Sequence, residues 1–452
     1  MSRYQKYPAY KDSGVEWIGE IPEHWEITKI RYYYDVQLGK MLQPESKTET
    51  DVEVKYLKAQ HVQWNVVNHD DLPTMWASEK EIEKFAVQQG DLLICEGGEV
   101  GRSALLDGVS DVCIIQNALH RVRAKEKSSV KYLQYFMQHV SNARWFDILC
   151  NKATIAHLTG EKLAALELPV PPVHEQQAIA SFLDSRTEKI DELIAKKESL
   201  LNKLHEKSIA LIIQAVTKGL DLSVPMKDAG VEWIDVIPEH WEVKRLKNIA
   251  SCNDESLNEN TDPQYEIKYI DISSVNLNQG ITNKETLLFE KAPSRARRVV
   301  RNGDTIVSTV RTYLKAIAPI IDPEENLIVS TGFAVIRPKE HYHSCFLGNF
   351  LQTEGFVGQV VANSVGVSYP AINANELLQI SVIVPPQEEQ QAIATKIKKK
   401  TVMIDRQKQQ ITEAIERLKE YRSALITDAV TGKMDVHSYE TKESFLPEQK
   451  RI

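Results

Sequence analysis

The phrase GVEWIGEIPEHWE, at Gly14–Glu26, returns as GVEWIDVIPEHWE at Gly230–Glu242. When both copies are extended back to an aspartate, at Asp12 and Asp228, they agree at 12 of 15 positions with an offset of 216 residues. A match this long within one chain indicates a duplication, and internal repeats decide the organisation of a fold before any local pattern does. The tryptophans flank a proline turn in both copies, so we expect them to be packing anchors; they are Trp17, Trp25, Trp233 and Trp241.

The rest of the chain repeats in the same order. The later matches have offsets of 213 or 214 residues, so the spacing hardly drifts. The chain is therefore a tandem duplication of one long repeat, whose ends agree closely and whose interiors differ. We infer a common scaffold that carries two different surfaces. The matched pairs are EVKYL (53–57) with EIKYI (266–270), GDLLI (90–94) with GDTIV (303–307), PPVHEQQAIA (171–180) with PPQEEQQAIA (385–394), and LIIQAVTKGLD (211–221) with LITDAVTGKMD (425–435).

The first part of each repeat, before the double proline, has the pattern of a mixed α+β domain. Short β-branched runs such as DLLICE and LIVSTGFAVI are bounded by Gly, Asn, Asp and Pro, which is typical of strands. Helical stretches such as VKYLQYFMQHVSNARWF lie between them. We therefore predict an α+β globular domain of about 160 residues in each repeat.

The second part of each repeat predicts one long helix. Neither His174–Lys218 nor Gln387–Thr431 contains Gly or Pro, and double prolines precede both, as suits a helix start. An apolar stripe at alternating steps of four and three residues predicts a coiled-coil seam. Two similar helices in one chain favour pairing with each other; the alternative is that each packs on its own domain. The stripe residues are Ile190, Ile194, Lys197, Leu201, Leu204, Ser208, Leu211 and Ala215, then Ile397, Ile404, Ile411, Ile415, Leu418 and Leu425.

Composition places the chain among soluble globular proteins. Of its 452 residues, 42% are apolar and 26% are charged, and no apolar run is long enough for a membrane span. The N-terminus lacks the apolar segment of a signal peptide, so we expect a cytoplasmic protein. The scattered cysteines form no CxxC pair, which predicts small buried thiols rather than disulfides or a zinc site; they are Cys95, Cys113, Cys150, Cys252 and Cys345.

Catalytic motifs are missing from the sequence. There is no GxxxxGK[ST], HExxH or GxSxG motif, and the glycine-rich GGEVG at Gly97–Gly101 has the wrong spacing for a phosphate loop. Glu53-Val54-Lys55, like its counterpart EIK at 266–268, resembles the acidic-x-Lys end of a nuclease site. Strand alternation places Glu and Lys on one face, which we expect to be the solvated one. The scaffold interpretation is therefore favoured over a nuclease.

Candidate DNA contacts lie in loops of both repeats. From Glu285 to Ile320 there are seven Lys or Arg against three acidic residues, although the net charge of the whole chain is −8. Arg and Lys suit guanine edges and phosphates, and Gln and Asn suit adenine. Each residue alone is also explained by a solvated loop. We expect Arg102 to correspond roughly to Thr312. The candidates are Lys40, Gln43, Lys47, Gln60, Gln63, Asn65 and Arg102 in the first repeat and Arg295, Arg297, Arg298, Arg311, Thr312, Tyr313 and Lys315 in the second.

As a set, these motifs resemble the specificity subunit of type I restriction-modification systems. The set comprises WIGEIPEHWE and WIDVIPEHWE, the Gly-Asp strand starts, and PPVHEQQAIA and PPQEEQQAIA, each leading into a long helix. The resemblance extends over nearly the whole chain, in order, twice. Its PP-x-x-E-Q-Q-x-I-A block is quite specific, whereas the Gly-Asp turn alone is weak.

The resemblance implies two tandem target recognition domains, each recognising one half of a split, asymmetric double-stranded DNA sequence. It implies that the two long helices form an antiparallel coiled coil that spaces the half-sites, in a pseudo-two-fold internal repeat. The expected boundaries are 1–173 for recognition domain 1, 174–225 for the central conserved helix, 226–386 for recognition domain 2, 387–435 for the C-terminal conserved helix and 436–452 for a polar tail.

The resemblance also implies partners that carry the chemistry. Two modification subunits would bind S-adenosylmethionine and methylate adenine, and a restriction subunit would add translocase and nuclease activity. S-adenosylmethionine, ATP and Mg²⁺ would then enter through these partners, and the chain itself would have no catalytic residue, metal or cofactor. Two alternatives are a stand-alone nuclease or methyltransferase, which the missing motifs disfavour, and a tandem protein-binding scaffold without direct base recognition.

Overall fold

The chain forms two compact units in the computed structural model, which describes residues 5–108, 111–150, 157–277 and 279–437. Unit 1 comprises Met1–Glu198 and Thr412–Ile452, and unit 2 comprises Ser199–Ile411. Each unit thus contains one α+β domain and parts of both long helices. The predicted polar tail 436–452 lies outside the described residues except for its first two positions.

The α+β domain of unit 1 has thirteen strands and five short helices among its described residues. The strands are β1 (Tyr10–Asp12), β2 (Glu20–Pro22), β3 (Glu26–Lys29), β4 (Tyr34–Leu38), β5 (Val52–Leu57), β6 (Val62–Gln63), β7 (Val66–Val67), β8 (Thr74–Ala77), β9 (Leu92–Cys95), β10 (Ser103–Leu105), β11 (Cys113–Ile115), β12 (Leu119–Ala124) and β13 (Glu167–Val170). The helices are α1 (Ile30–Tyr33), α2 (Glu79–Phe85), α3 (Val130–Asn142), α4 (Trp145–Leu149) and α5 (Gly160–Ala165). The first long helix, α6 (Val173–Lys218), follows.

The domain of unit 2 repeats this order with some replacements. Its strands are β14 (Met226–Val231), β15 (Ile234–Pro238), β16 (Glu242–Arg245), β17 (Ala250–Cys252), β18 (Glu266–Ile270), β19 (Val275–Asn276), β20 (Gly280–Ile281), β21 (Glu285–Leu288), β22 (Ala296–Val299), β23 (Thr305–Ser308), β24 (Ile317–Pro319), β25 (Leu327–Ser330), β26 (Phe333–Pro338) and β27 (Ser381–Val384). Its helices are α7 (Leu246–Ile249), α8 (Ser344–Leu351), α9 (Glu354–Ala362) and α10 (Ala374–Leu377), and the second long helix is α11 (Gln387–Val430).

One sheet is the same in both domains and a second sheet differs. The shared sheet has the strand order β10-β9-β12-β4 in unit 1 and β24-β23-β26-β17 in unit 2. The second sheet has three strands, β11-β5-β8, in unit 1 and four, β21-β18-β25-β22, in unit 2. Where β22 pairs with β25, unit 1 has only the isolated bridge between Ala86 and Ile114 among its described residues, preceded by helix α2. The two domains therefore share one sheet and differ in the other, as the prediction of a common scaffold with differing interiors requires.

The repeated phrase and the double proline meet in each unit. β3, which starts at the last residue of the phrase, pairs antiparallel with β13, so that Glu26 faces Val170. In unit 2, β16 pairs with β27 and Glu242 faces Val384. The part of each α+β domain that lies between these paired strands is therefore entered and left through two adjacent strands.

A buried carboxylate joins these ends in unit 1. Glu175, 2% exposed, lies in the first turn of α6. It accepts hydrogen bonds from Trp25 Nε1 at 3.1 Å and from the Tyr7 hydroxyl, and it lies 2.9 Å from His24 Nε2. A buried charge needs such partners. Glu175 therefore fixes the start of α6 against the PEHW residues of the repeated phrase.

The same carboxylate recurs in unit 2 with fewer partners. Glu389 Oε2 accepts a hydrogen bond from Trp241 Nε1 at 3.0 Å and lies 2.8 Å from His240 Nε2. Trp25 and Trp241 are fully buried, which agrees with the predicted role of packing anchors. The next motif residue is also shared: the side chains of Gln176 and Gln390 each donate to the first proline carbonyl at 2.8 Å.

The two long helices pair antiparallel within each unit. The apolar core of unit 1 contains Leu183 and Ile190 from the N-terminal half of α6, together with Leu425 from the C-terminal half of α11. In unit 2 the core contains Val216 near the end of α6 and Ile393 near the start of α11. The predicted stripe residues are all buried or partly buried, so the heptad prediction identified the inward face.

A buried histidine in α3 makes the stability of unit 1 depend on pH. His139 is 4% exposed, its Nδ1 lies 3.0 Å from Thr427 Oγ1, and burial lowers its pKa to about 4, with a smaller contribution from Lys433. The unfolded chain takes up this proton near pH 6.5. The stability contributed by neutral His139 is therefore complete above pH 6.5 and is lost as the pH falls towards about 4.

Replacing His139 with glutamine is expected to remove much of this acid sensitivity. Between pH 7 and pH 5 the wild-type free energy of unfolding should fall by about 2 kcal/mol more than that of the variant. Urea unfolding of both proteins at the two pH values measures the difference. His69→Gln, at an exposed loop position of the same domain, is the matched control and should behave as wild type. Equal pH dependence of wild type and His139→Gln would contradict the assignment.

Candidate nucleic-acid interface

The two Gly-Asp pairs mark the starts of equivalent strands in the shared sheet, and a loop follows the far end of each strand. Asp304 accepts two hydrogen bonds from Arg337, Nε to Oδ1 at 2.9 Å and Nη2 to Oδ2 at 2.8 Å. Asp91 is held in the same way by Arg123, at 2.6 and 2.8 Å. A bidentate pair has a defined orientation, so it sets the start of β9 and β23. At their far ends these strands lead into the loops 96–102 and 309–316.

The loop after β23 exposes three of the predicted DNA contacts. A 3-10 turn at Thr312–Leu314 is flanked by Arg311 and Lys315, both in the left-handed region with φ of 52° and 51°. This backbone turns the side chains of Arg311, Tyr313 and Lys315 to solvent. Thr312 points inwards: it is 2% exposed and its Oγ1 lies 2.8 Å from Ser364 Oγ. We therefore correct the prediction for Thr312, whose hydroxyl holds the loop in place.

Arg295 lies at the same edge of the domain as Arg311. The Arg295 carbonyl accepts a hydrogen bond from Thr331 N at 2.7 Å, and the carbonyl of the next residue, Gly332, accepts one from Thr309 N at 2.8 Å. The Arg295 side chain is exposed. Two backbone hydrogen bonds, through Thr331 and Gly332, thus connect Arg295 with the loop that contains Arg311.

Arg297 and Arg298, the two predicted contacts that follow Arg295 in the sequence, are partly buried. The Arg297 guanidinium lies 4.6 Å from the ring centroid of Phe289, and its Nη1 donates to the Ala296 carbonyl at 2.9 Å. Arg298 is half-buried on β22, which forms a bridge to Ser256. Arg297 is half-buried and its guanidinium is engaged by the ring and the carbonyl, which leaves less of it for DNA. Of the three, Arg295 is the most accessible candidate.

In unit 1, Lys40 and Gln43 belong to a buried polar network. Lys40, 6% exposed, donates to Gln43 Oε1 at 3.0 Å and to Glu81 Oε1 at 2.5 Å, and Gln43 Nε2 donates to Asp51 Oδ2 at 2.8 Å. The hydrogen bond from Lys40 is the largest cause of the lowered pKa of Glu81. We correct the prediction for these two residues, because neither side chain can reach DNA without leaving these partners. Lys47 remains exposed.

Removing Lys40 should therefore affect stability and leave sequence recognition intact. Lys40→Ala removes the donor to the buried Gln43 side chain and the ion pair with the partly exposed Glu81, and is expected to lower the free energy of unfolding by about 2 kcal/mol. Chemical denaturation measures this loss, with Lys47→Ala as the exposed lysine control. A Lys40→Ala protein that keeps its stability but loses recognition of a target sequence would restore Lys40 as a DNA contact.

Arg102 and Trp64 both contact one glutamate in unit 1, beside the turn that contains Gln60. Arg102 donates to the Ala59 carbonyl at 3.0 Å and to Glu99 Oε2 at 3.2 Å, and Glu99 Oε1 accepts from Trp64 Nε1 at 2.5 Å. Ala59 opens the turn that contains Gln60. We call Gln60, Gln63, Trp64, Glu99 and Arg102 the first cluster. Trp64 and Glu99 were not among the predicted contacts, although the Trp-Asn pair directly after a strand indicates a turn at this place.

Gln60 and Gln63 are exposed, whereas the Asn65 side chain accepts hydrogen bonds from within the domain. Gln63 Nε2 donates to the Gln60 carbonyl at 3.1 Å, which holds the two residues side by side. Asn65 has a φ of 65° and its Oδ1 accepts hydrogen bonds from Gln134 and Gln138. Asn65 therefore positions the turn between β6 and β7 rather than presenting a free amide oxygen.

The predicted correspondence of Arg102 with Thr312 is wrong. Backbone hydrogen bonds place Arg102 opposite Cys95 and Ala316 opposite Ser308, which is the same position in β10-β9 and β24-β23. Arg102 thus matches Ala316. The repeat offset of 213 residues places Arg102 opposite Lys315, and the loop after β23 is one residue longer than that after β9, which moves the match to Ala316.

A second loop, which sequence analysis missed, lies against Arg311. The segment Asn363–Ala371 follows α9, and its Tyr369 ring has the Arg311 guanidinium 5.2 Å from its centroid. We call Arg295, Arg311, Tyr313, Lys315 and Tyr369 the second cluster. The sequence NSVGVSYPA has the Ser, Gly and Pro content of a loop, but nothing in it indicated that it would meet residue 311. The segment at the corresponding place in unit 1 falls largely on 151–156, outside the described residues.

The acidic-x-Lys pattern is engaged in surface contacts. Lys55 Nζ pairs with Asp111 Oδ2 at 2.7 Å, and Glu53 accepts a weak hydrogen bond from Thr74 at 3.5 Å. Both side chains are exposed, as strand alternation predicted. The described ranges contain no group of three or more His, Cys, Asp or Glu arranged to hold a metal ion. Among the same residues, no helix is long and apolar enough to cross a membrane.

The cysteines are all free, and three of the five are buried. Cys95, Cys113 and Cys150 are buried, whereas Cys252 and Cys345 are half-buried. Burial raises the pKa of Cys113 and of Cys252 to about 11, so neither is a thiolate at neutral pH. The expectation of small buried thiols holds fully for the first repeat and in part for the second.

Comparison with known families identifies the scaffold. The family model for the type I restriction modification DNA specificity domain matches residues 22–203 and again residues 238–417, together more than three quarters of the chain. The chain therefore belongs to the family of type I restriction-modification DNA specificity proteins. It is a specificity subunit with two tandem recognition domains, and the resemblance seen in the sequence is confirmed.

Individual relatives extend over most of the chain. The putative type I restriction enzyme MjaX specificity subunit of Methanocaldococcus jannaschii is 25% identical over 429 residues, which cover 89% of this chain and 93% of the relative. The type I restriction enzyme EcoBI specificity subunit of Escherichia coli is 24% identical over 366 residues, 78% of this chain and 75% of the relative. The similarity to both relatives therefore extends over more than one repeat of this chain.

Solved structures share the fold at low sequence identity. The HsdS subunit from Thermoanaerobacter tengcongensis superimposes with a TM-score of 0.53 at 15% identity, covering 92% of this chain and 98% of that chain. A chain from a structure of a type I R-M system gives a TM-score of 0.65 at 16% identity, covering 91% of this chain and 98% of its own. These similarities confirm the predicted α+β class with two recognition domains and two long helices.

Family membership also decides between the classes of function. Specificity subunits recognise DNA and are not the catalytic subunits of their systems, which confirms the prediction of a non-catalytic chain. The alternative of a protein-binding scaffold without base recognition receives no support from these relatives. The family does not assign individual DNA contacts, so the two clusters remain our prediction.

Proposed function

We propose that this chain recognises a split, asymmetric double-stranded DNA sequence, one half through each recognition domain. The observation that carries the proposal is the repeated sheet with differing loops: β9 and β23 occupy equivalent positions and are held by equivalent Asp-Arg pairs, yet lead into dissimilar loops. Equivalent platforms with dissimilar side chains suit two dissimilar half-sites. The two long helices are the proposed spacer between them.

The side chains of the two clusters favour different base contacts. The first cluster offers the amides of Gln60 and Gln63 beside Arg102, whose partner Glu99 neutralises part of its charge. The second offers Arg295, Arg311 and Lys315, all exposed. Amides favour adenine, whereas arginines favour guanine edges and phosphates. We therefore propose that recognition in unit 1 depends more on amide contacts and recognition in unit 2 more on charge.

Partner subunits complete the proposed assembly. We propose that the chain binds two modification subunits, which methylate adenine with S-adenosylmethionine, and a restriction subunit that uses ATP and Mg²⁺. We place this assembly in the cytoplasm. A net charge of −8 supports a requirement for partners, because an acidic chain gains little from phosphate contacts by itself. The cofactors would then belong to the partners and not to this chain.

Methylome sequencing of a host that expresses this chain with its modification subunit tests the proposal. The expected result is one new split motif with methyladenine in each half. Replacing recognition domain 2, residues 226–386, by that of another family member should change one half of the motif and preserve the other. Expression of the modification subunit alone is the control. An active modification subunit that gains no new motif from this chain would overturn the proposal.

A further inference from the structure

The loop Asn363–Ala371 exposes apolar side chains that the scaffold does not use. Val365 is 76% exposed, Val367 is fully exposed and Tyr369 is 66% exposed. Exposed apolar residues are ordinary when scattered, but three at alternating positions of one loop form a patch, and such patches mark interaction sites.

Hydrogen bonds hold this loop in one shape. Val365 and Ala371 exchange two backbone hydrogen bonds, of 2.8 and 3.0 Å, which close a tip of five residues. Gly366 within the tip has a φ of 115°, a conformation that other residues rarely adopt. At the base, Ser364 Oγ meets Thr312 Oγ1 at 2.8 Å, and Ile372 N donates to the Thr309 carbonyl at 2.9 Å. A preformed loop loses little conformational entropy on binding.

One cationic side chain contacts the patch and a second lies in the same turn, and no acidic residue stands near them in the sequence. Arg311 contacts the Tyr369 ring, and Lys315 ends the same turn. The segments 309–315 and 361–373, which pair through Val310 and Ala371, contain no Asp or Glu, although acidic residues outnumber basic ones in the whole chain. An apolar tip with a cationic border matches the bases and phosphates of DNA better than it matches a protein surface, where a neutral border would suffice.

We propose that the loop Asn363–Ala371 is a base-contacting element of recognition domain 2, and that the Val367 side chain contacts a thymine methyl group in the major groove while Arg311 and Lys315 bind the adjoining phosphates. The inference rests on the proposed function and deepens it. The thymine methyl is the apolar group that the four bases offer on that edge, so an apolar tip discriminates for an A·T pair. One position of the second half-site should therefore be A·T.

The experiment uses the full chain assembled with its modification subunit, on DNA carrying the motif found by methylome sequencing. Affinity is measured for duplexes in which each thymine of the second half-site is replaced in turn by deoxyuridine, which lacks the methyl group. In the wild-type complex one such replacement should weaken binding about five- to tenfold. Val367→Ser should weaken binding to the same extent and be insensitive to that replacement. Val361→Ser, an exposed valine on α9, is the matched control.

Each of the following outcomes would overturn the proposal. Val367→Ser complexes that retain wild-type affinity and thymine discrimination would show that the loop does not contact bases. Variants that no longer assemble with the modification subunit, while remaining folded, would identify the loop as a protein-docking surface instead. A wild-type complex without any split target would overturn the proposed function and the loop's role together, whereas loss of the loop's effect alone would leave recognition by both domains intact.

Discussion

Replacing Glu175 with alanine is expected to lower the free energy of unfolding of unit 1 by about 3 kcal/mol. The carboxylate is buried and accepts hydrogen bonds from Trp25 and Tyr7 beside His24, so its removal leaves two buried donors without partners. Burial is the largest cause that raises the pKa of Tyr7, followed by its hydrogen bond to Glu175, so the phenol stays protonated and needs an acceptor. Calorimetric unfolding of the full chain measures the loss.

The second repeat provides the matched control for this prediction. Glu389→Ala removes the equivalent carboxylate, but Glu389 is 26% exposed in its side chain and its hydrogen bonds come from Trp241 and His240, without a tyrosine. We expect a loss of only about 1–2 kcal/mol, because water can accept part of the hydrogen bonds that the carboxylate accepted. Equal losses in the two variants would contradict the greater importance of the unit 1 carboxylate.

Replacing Arg311 with alanine is expected to weaken binding of the assembled complex to its target DNA by about 10- to 100-fold. The arginine is exposed, its backbone is held in the left-handed region, and its guanidinium lies over Tyr369, so it is preorganised for contact. Affinity is measured by titration at several salt concentrations. Loss of the proposed phosphate contact should lower the salt slope by about 0.9 for all sequences, whereas loss of discrimination at one position would identify a base contact instead.

Arg301→Ala is the matched control for this experiment. Arg301 lies in the same basic stretch of the sequence, but its guanidinium is paired with Glu255 at 2.7 Å. It is expected to leave the affinity within about twofold of wild type, because a paired surface charge contributes little. If Arg311→Ala and Arg301→Ala have the same small effect, the second cluster is not the DNA-binding surface of recognition domain 2.

Features that depend on neighbours in the sequence were predicted well. The duplication, the two helices and their inward stripe follow from identity and periodicity, which need no knowledge of distant contacts. Trp25 and Trp241 were assigned as packing anchors because both copies keep them, and both are fully buried. The solvated face of Glu53 and Lys55 followed from strand alternation alone.

Features that depend on distant segments were not predictable in the same way. Lys40 and Gln43 have the sequence surroundings of a loop, and only the fold brings Glu81 and Asp51 against them. The loop that contains Val367 has no motif, and its place beside Arg311 arises from contact with a turn some fifty residues earlier in the chain. Matching Arg102 with Ala316 instead of Thr312 required the backbone hydrogen bonds, because the two loops differ in length and have no common motif to align them.

The pairing of β3 with β13, and of β16 with β27, has an evolutionary consequence. Because β3 neighbours β13 and β16 neighbours β27, the segment between each pair of strands can be exchanged at two short junctions while the long helices stay unchanged. The junction residues are those that contact each other, with Glu175 bound to Trp25 and Glu389 bound to Trp241. Recombination that keeps these pairs can therefore supply a new half of the target in one event, without remodelling the rest of the subunit.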